Sequence, residues 1–251
     1  MIYIFLFILG AIVGSFLNVV GLRWNLKNFG GRSTCPSCGK ILRWWELVPI
    51  ASFLILKARC QRCQTKISWQ YPIIEIWTGL IFLSIFNFQF SILQNLILIS
   101  VFCIYIIITI YDLKYKIIPD SLVYVAILLS VVSRWLSVGS TLDWLAGPII
   151  FAFFGSIWLL SSGRAMGFGD AKLGLSVGLL LGAPYAFSAV ILAFWIGAFV
   201  SLAYIFLNKI SFLKDVKELT MKSEVPFAPF IIIGAWISLV FRLNILHVAS
   251  F

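Results

Sequence analysis

Two features of the sequence combine residue types and spacings that support chemistry. "CPSC" at 35–38 and "CQRC" at 60–63 form CxxC-x21-CxxC, the spacing with which two tight turns each offer a pair of thiolates to one tetrahedral ion. Cys35, Cys38, Cys60 and Cys63 are therefore the expected ligands of a structural zinc. A reducing compartment argues against two disulfides in their place, and Cys103, alone in an apolar run, is expected only to pack. The second feature is a pair of acids. Of nine acidic residues, Asp112 and Asp170 stand at the edges of long apolar runs, where an ionisable group is costly and marks function.

Paired carboxylates are what an aspartic protease needs. Like charges about 3 Å apart cannot both ionise, so such a pair shares one proton; one member acts as base on a water while the other donates to the substrate carbonyl. Asp112 lies in "TIYDLKYKIIPD", with Tyr105 and Thr109 on its helical face at i−7 and i−3. It is expected at a helix C-terminus, where a negative charge is unfavourable and capping explains nothing. Asp170 lies in "GRAMGFGDAKLG" at 163–174 and heads a stripe of Gly174, Gly178 and Gly182, small residues that let another helix approach. Gly167 and Gly169 beside it would let a ligand strand reach the backbone. Asp120, between Pro119 and Ser121, reads as a helix cap instead.

The elements that must carry these residues follow from composition. The 251 residues are 62% hydrophobic and 11% charged, with a mean hydropathy of +1.06, which excludes a single soluble core. Apolar runs able to cross ~30 Å of hydrocarbon fall near 1–22, 73–90, 92–111, 119–137, 143–162, 171–183, 185–207 and 227–247. The fold class expected is an all-α polytopic membrane protein of about eight transmembrane helices. It divides into a first helix (1–22), a cytoplasmic zinc-binding-like module (23–72) and a seven-helix protease domain (73–251). The first run lacks a basic leader and an A-x-A cleavage site, so it is expected to be retained.

Basic residues set the orientation, because they stay on the cytoplasmic side of span ends. Of nineteen, only Arg134 and Arg242 fall on the far face, which puts both termini outside and the long loops in the cytoplasm. Two crossings separate the cysteine module from Asp112, and two more separate Asp112 from Asp170, so all three share the cytoplasmic face. A net charge of +10 then needs anionic lipid and no nucleic acid.

On these residues the chain resembles the type IV prepilin peptidases of bacterial inner membranes, which belong to the GxGD aspartic proteases. The likeness rests on "GSFLNVVGLR" at 14–23, the cysteine segment at 35–79, "DLKYKIIPD" at 112–120, "GFGDAKLG" at 167–174 and "VPFAPF" at 225–230. The resemblance implies that Asp112 and Asp170 are catalytic. It implies cleavage of a short basic leader from prepilins or pseudopilins at the cytoplasmic boundary, and N-methylation of the new terminus with S-adenosylmethionine. Nothing in composition or spacing points to the methyl donor: "GFGDAK" has Lys172 where a dinucleotide motif needs glycine. The donor site would have to come from cytoplasmic loops and helix ends. The chain departs from the family pattern at Trp24–Asn25, where a proline usually lies two beyond Arg23, and at Ala228, where glycine is usual.

Glu75, an acid inside the second run, and Arg23, at the end of the first, are candidates for substrate contact together with Gly167 and Gly169. Trp44 and Trp45 suggest an interfacial aromatic belt. Two other classes use similar residues: a presenilin-like intramembrane protease, against which the cysteine module and the lack of a Pro-Ala-Leu motif argue, and a zinc-stabilised transporter or assembly scaffold with proton-relay acids.

Overall fold

A computed structural model describes residues 2–24, 31–86, 90–137, 140–209 and 226–247. Lys27, Lys214, Lys217 and Lys222, counted above as cytoplasmic, and Val225 of the last motif lie outside the described residues. The described chain is helical: α1 (Ile2–Arg23), a 3-10 turn (Trp44–Leu47), α2 (Ala51–Ile55), α3 (Gln70–Phe86), α4 (Ile92–Tyr115), α5 (Asp120–Leu136), α6 (Thr141–Ser161), α7 (Phe168–Leu181), α8 (Ala183–Lys209) and α9 (Ala228–Val240). Eight of these match the eight apolar runs. This is an all-α polytopic membrane protein.

Four helices are long and apolar enough to cross a membrane unaided: α1, α4, α6 and α8 from Ala183 to Phe206. The others are shorter. α7, with 14 residues, spans only ~21 Å at 1.5 Å per residue. Its length is tolerated because ten of those residues are buried by α5, α6, α8 and α9, so it faces protein on most sides and need not match the bilayer.

Contacts divide the chain into two compact units, Met1–Ile110 and Tyr111–Phe251. In the first, α1 packs on α3 through glycine. A Cβ on Gly10 would lie 2.8 Å from the Thr78 carbonyl oxygen, and one on Gly79 would lie 2.7 Å from the Phe7 ring. Gly10 and Gly14 are spaced as GxxxG, the arrangement that lets backbones approach where no hydrophobic force separates protein from lipid.

The second unit is built around α7, whose glycine stripe meets α6. A Cβ on Gly174 would strike Phe154 and Ile150, and one on Gly178 would come within 2.5 Å of Gly147 Cα. The helix drawn close to Asp170's stripe is thus α6, not the helix that carries Asp112. At the far end of α7, Gly182 turns the chain at φ +77°. Asp143 Oδ1 receives the Ala183 N–H that opens α8 at 2.9 Å, while Arg134 donates to the carbonyls of Leu179 and Leu180 at 3.0 and 3.2 Å. Helix ends need such partners, and here one buried acid and one buried base supply them.

Candidate active site and metal centre

Both acids lie in the second unit and are almost fully enclosed, Asp112 at 4% and Asp170 at 7% exposure. Tyr105 and Thr109, on Asp112's face, are buried with it, as the periodicity predicts. Asp112 sits in the last turn of α4, where the helix's own dipole is unfavourable. The compensation comes from another helix. α9 begins without a side-chain cap, and its first N–H, from Ala228, donates to Asp112 Oδ2 at 3.3 Å. An anion at a helix N-terminus meets both unpaired N–H groups and the positive end of the dipole.

Asp170 is arranged alike. It occupies the first turn of α7, and its Oδ2 accepts the N–H of Gly167, the N-cap, at 3.2 Å. Capping and proximity to another acid therefore coexist at this residue: the charges of Asp170 and Asp112 interact across the site. Gly169 faces Ile118, whose Cβ would be 2.9 Å from an added methyl, so its open side is filled by this chain's own residue. At Gly167 an added methyl would meet the Asp170 carboxylate at 3.4 Å and the Gly169 nitrogen at 4.0 Å.

Asp120 departs from expectation. Pro119 is the N-cap of α5 and Asp120 caps nothing with its side chain; it accepts from Lys172 Nζ at 2.7 Å. Lys172 also lies over the rings of Tyr124 and Phe168, 5.2 Å from each centroid. Its sequence position, two residues beyond Asp170, gave no hint of the pairing, because the partner is 52 positions away.

The cysteines form a second site, in the first unit. Their four sulfur atoms lie within 4.8 Å of one another, with Cys35 and Cys63 at 3.7 Å and Cys38 and Cys60 at 4.0 Å. A tetrahedron with metal–sulfur bonds of ~2.3 Å has edges of ~3.8 Å, so the cluster fits one metal ion. All of these cysteines are free of disulfides.

The local fold is the same turn used twice. Cys35 N–H donates to the Lys40 carbonyl at 2.9 Å and Gly39 N–H to the Cys35 carbonyl at 3.0 Å; Cys60 pairs with Thr65, and Gln64 with Cys60, at the same distances. Bridges Thr34–Ile41 and Arg59–Lys66 close both turns. Each turn needs a left-handed residue after its second cysteine, supplied by Gly39 at φ +67° and by Gln64 at φ +57°.

The thiols differ in acidity. Hydrogen bonds from the Thr65 hydroxyl and then its N–H lower Cys63 to about 6. At Cys38 the Lys40 N–H acts downward, but burial and the other sulfurs outweigh it and push the thiol up to about 11. Four clustered sulfurs cannot all become thiolates without a cation among them, which again suits a metal.

The remaining candidates lie in the first unit. Arg23 ends α1 and donates Nη1 to the Gly31 carbonyl at 3.3 Å. Glu75 is buried in α3 and accepts the Ile50 N–H at 2.7 Å and a bond from Ser15. Trp44 is 76% exposed on its 3-10 turn. Two parts of the site escaped sequence reasoning. Ala228 showed only as a departure from a motif, whereas its backbone is what reaches Asp112. Arg134 counted as a far-side charge, yet it is 7% exposed and bound to α7.

Fold and sites define an all-helical, multi-pass membrane protein with an enclosed acid pair and a separate four-thiol centre. Residues 8–88 match the bacterial peptidase A24 N-terminal domain, which takes in all four clustered cysteines, and residues 97–202 match the type IV leader peptidase family, which takes in both acids. The chain is 30% identical over 240 residues to a prepilin leader peptidase/N-methyltransferase of Bacillus subtilis, covering 92% of this chain and 90% of that protein. It is 30% identical to one from Vibrio cholerae, covering 81% and 89% respectively. With a third from Myxococcus xanthus it shares 34% over 189 residues, 71% of this chain and 56% of that one. No solved structure matches. The chain belongs to the type IV leader peptidase family.

Proposed function

We propose that the protein removes the short basic leader of prepilins or pseudopilins, with Asp112 and Asp170 as its catalytic pair, and then methylates the new amino terminus. The observation that carries the first half is the arrangement of the acids: buried, interacting, each with its Oδ2 held by a helix-end N–H. Those bonds anchor one oxygen of each carboxyl, and the other oxygen of each is left to act on a shared water. One carboxylate takes a proton from that water, whose oxygen attacks the scissile carbonyl carbon, while the other carboxyl donates its proton to the carbonyl oxygen. The first carboxyl then gives its proton to the leaving nitrogen as the C–N bond breaks, and the second carboxylate recovers a proton from the hydroxyl that becomes the new carboxyl group. Lys172 and Asp120, paired beside the site, tie the start of α5 to the start of α7.

The active site faces the cytoplasm of a bacterial inner membrane. This orientation is supported by the basic residues, which leave only Arg134 and Arg242 for the far side. The cysteine centre holds zinc, for which four sulfurs at tetrahedral spacing are the suited donor set, and the ion would supply folding energy to a segment with little core. S-adenosylmethionine is the methyl donor, a reading supported by the N-methyltransferase named in the relatives.

The test is cleavage of a purified prepilin by the enzyme in detergent. Asp112→Asn and Asp170→Asn each lower the rate by at least ~100-fold, the low end for loss of a general acid or base, while both remain folded. Wild-type rates from either variant would remove the pair from the mechanism. Mass spectrometry of the mature product reads the second half: an unmethylated terminus from active enzyme supplied with donor would refute it.

A further inference from the structure

We propose that Asp120 reads the charge of the basic leader, accepting from a substrate lysine or arginine with the carboxylate oxygen that Lys172 leaves open; the inference rests on the leader-cleavage half of the proposed function. Six acids lie among the described residues, and five of them are buried: Glu46, Glu75, Asp112, Asp143 and Asp170. Each of the five is already engaged. Lys40 holds Glu46 at 2.7 Å, the Ile50 N–H holds Glu75 at 2.7 Å, Asp143 receives the Ala183 N–H, and Asp112 and Asp170 form the acid pair. Asp120 is the sixth, and its side chain is 59% exposed. Asp215, Glu218 and Glu224 lie outside the described residues.

The ion pair presents its acid outward. Lys172 Nζ donates to Asp120 Oδ1 at 2.7 Å, yet the lysine side chain is only 15% exposed, with the rings of Tyr124 and Phe168 each 5.2 Å from its ammonium. Phe168 is fixed in turn by Trp158 and Phe151, at centroid distances of 5.0 and 5.9 Å. The base is enclosed and the carboxylate is not. Asp120 Oδ2 has no partner among the described residues. An ionised carboxylate accepts at both oxygens, so a second cation can bind there without displacing Lys172.

The position suits a leader. Asp120 opens α5, and Lys172 follows Asp170 by two residues on α7. Ile118 packs against Gly169, where an added methyl would lie 2.9 Å from the Ile118 Cβ. The carboxylate therefore stands beside the turn that carries Asp170, a separation that an extended peptide covers in a few residues at ~3.3–3.6 Å each.

The neighbouring surface is basic. Lys114 and Lys116 at the end of α4 and Arg164 before α7 are all exposed, and such a surface repels a basic peptide. Asp120 supplies the exposed negative charge that these residues lack. Complementary charges at an exposed contact fix partner choice and register more than they add affinity, so Asp120 sets which substrates enter and where along the leader they stop.

The experiment uses the full chain in detergent and two forms of one purified prepilin, the native substrate and one whose leader lysines and arginines are replaced by glutamine. The quantity read is kcat/KM for the basic leader divided by that for the neutral one, in which a general loss of folding or of chemistry cancels. We expect Asp120→Asn to lower this ratio about threefold or more, through KM, within the roughly fivefold that an exposed ion pair supports, and Asp120→Glu to keep it within about twofold of wild type. Lys172→Met breaks the same tie between α5 and α7 but keeps the carboxylate, and it holds the ratio at or above the wild-type value. A ratio unchanged in Asp120→Asn, or one that falls as far in Lys172→Met, overturns the assignment while leaving cleavage standing. So does a wild-type enzyme that cuts both leaders equally well. A wild-type enzyme that cuts neither overturns the proposed function itself.

Discussion

Replacing Gly178 by alanine tests the packing that sets Asp170 in place. A Cβ there would lie 2.5 Å from Gly147 Cα, 2.7 Å from Gly147 N and 2.9 Å from the Ala146 carbonyl carbon. Non-bonded carbons rest at ~3.5–4.0 Å, and all three neighbours are backbone atoms, so no rotamer change relieves the clash: α6 and α7 must part by roughly 1 Å. Overpacking of this kind costs about 1–3 kcal/mol, against which alanine's better helix propensity returns at most ~1 kcal/mol. With that offset in full, the net loss is up to about 2 kcal/mol. Asp170 lies two turns away on the same rigid helix, and misplacement of a reacting group by ~1 Å lowers rates by up to ~100-fold. Gly155→Ala is the control, because an added methyl there meets nothing within 4 Å, and it is expected to stabilise by up to ~1 kcal/mol. Thermal unfolding in detergent and prepilin cleavage are measured on both. If Gly178→Ala melts no lower than wild type and cuts at the same rate, the close α6–α7 contact is refuted.

Arg134→Ala should destabilise by about 2–6 kcal/mol, about 1–3 for each of the two buried carbonyls, Leu179 and Leu180, that it leaves without a donor, whereas Lys172→Met, breaking a pair whose acid is 59% exposed, should cost at most ~1 kcal/mol; thermal melts of the two rank them. Glu46 is held below the usual carboxylate range by the Arg43 N–H and then by Lys40. A carboxylate with a depressed folded pKa stabilises above its unfolded value of ~4.3 and loses that contribution as pH falls through the folded one. Melting followed from pH 7 downward should show an acid-side decline that Glu46→Gln reduces. Cys35→Ser combined with Cys60→Ser should abolish metal content by elemental analysis, and a fully loaded double variant would exclude the four-sulfur centre. Gln64→Gly relieves a left-handed non-glycine residue at φ +57° and should raise the melting temperature, by the order of 1 kcal/mol such a conformation costs.

Much of the site was legible because its signals are local. The cysteine spacing contains both turns: the hydrogen bonds that shape each run between residues at most nine apart. The burial of Asp112's face followed from a 3.6-residue period through Tyr105 and Thr109, and the glycine stripe of α7 announced a close helix contact. Asp120 misled because Pro-Asp-Ser is a strong local cap signal, and a lysine 52 positions on competed for the carboxylate and won. The partner of the stripe was not legible either, since Gly174 and Gly178 state that a helix comes close and say nothing of which one.

The sequence by itself determined that the chain is a helical membrane protein, where its helices run, which thiols cluster and which acids are out of place, because each of these depends on composition or on neighbours within a few turns. Only the tertiary structure decided that α6 lies along α7, that the N-terminus of α9 delivers the Ala228 N–H to Asp112 across 116 positions, and that Arg134 closes the far end of α7. Those contacts join segments far apart in the chain through backbone atoms that every residue possesses, so no residue type marks them, and they exist only once the helices have packed.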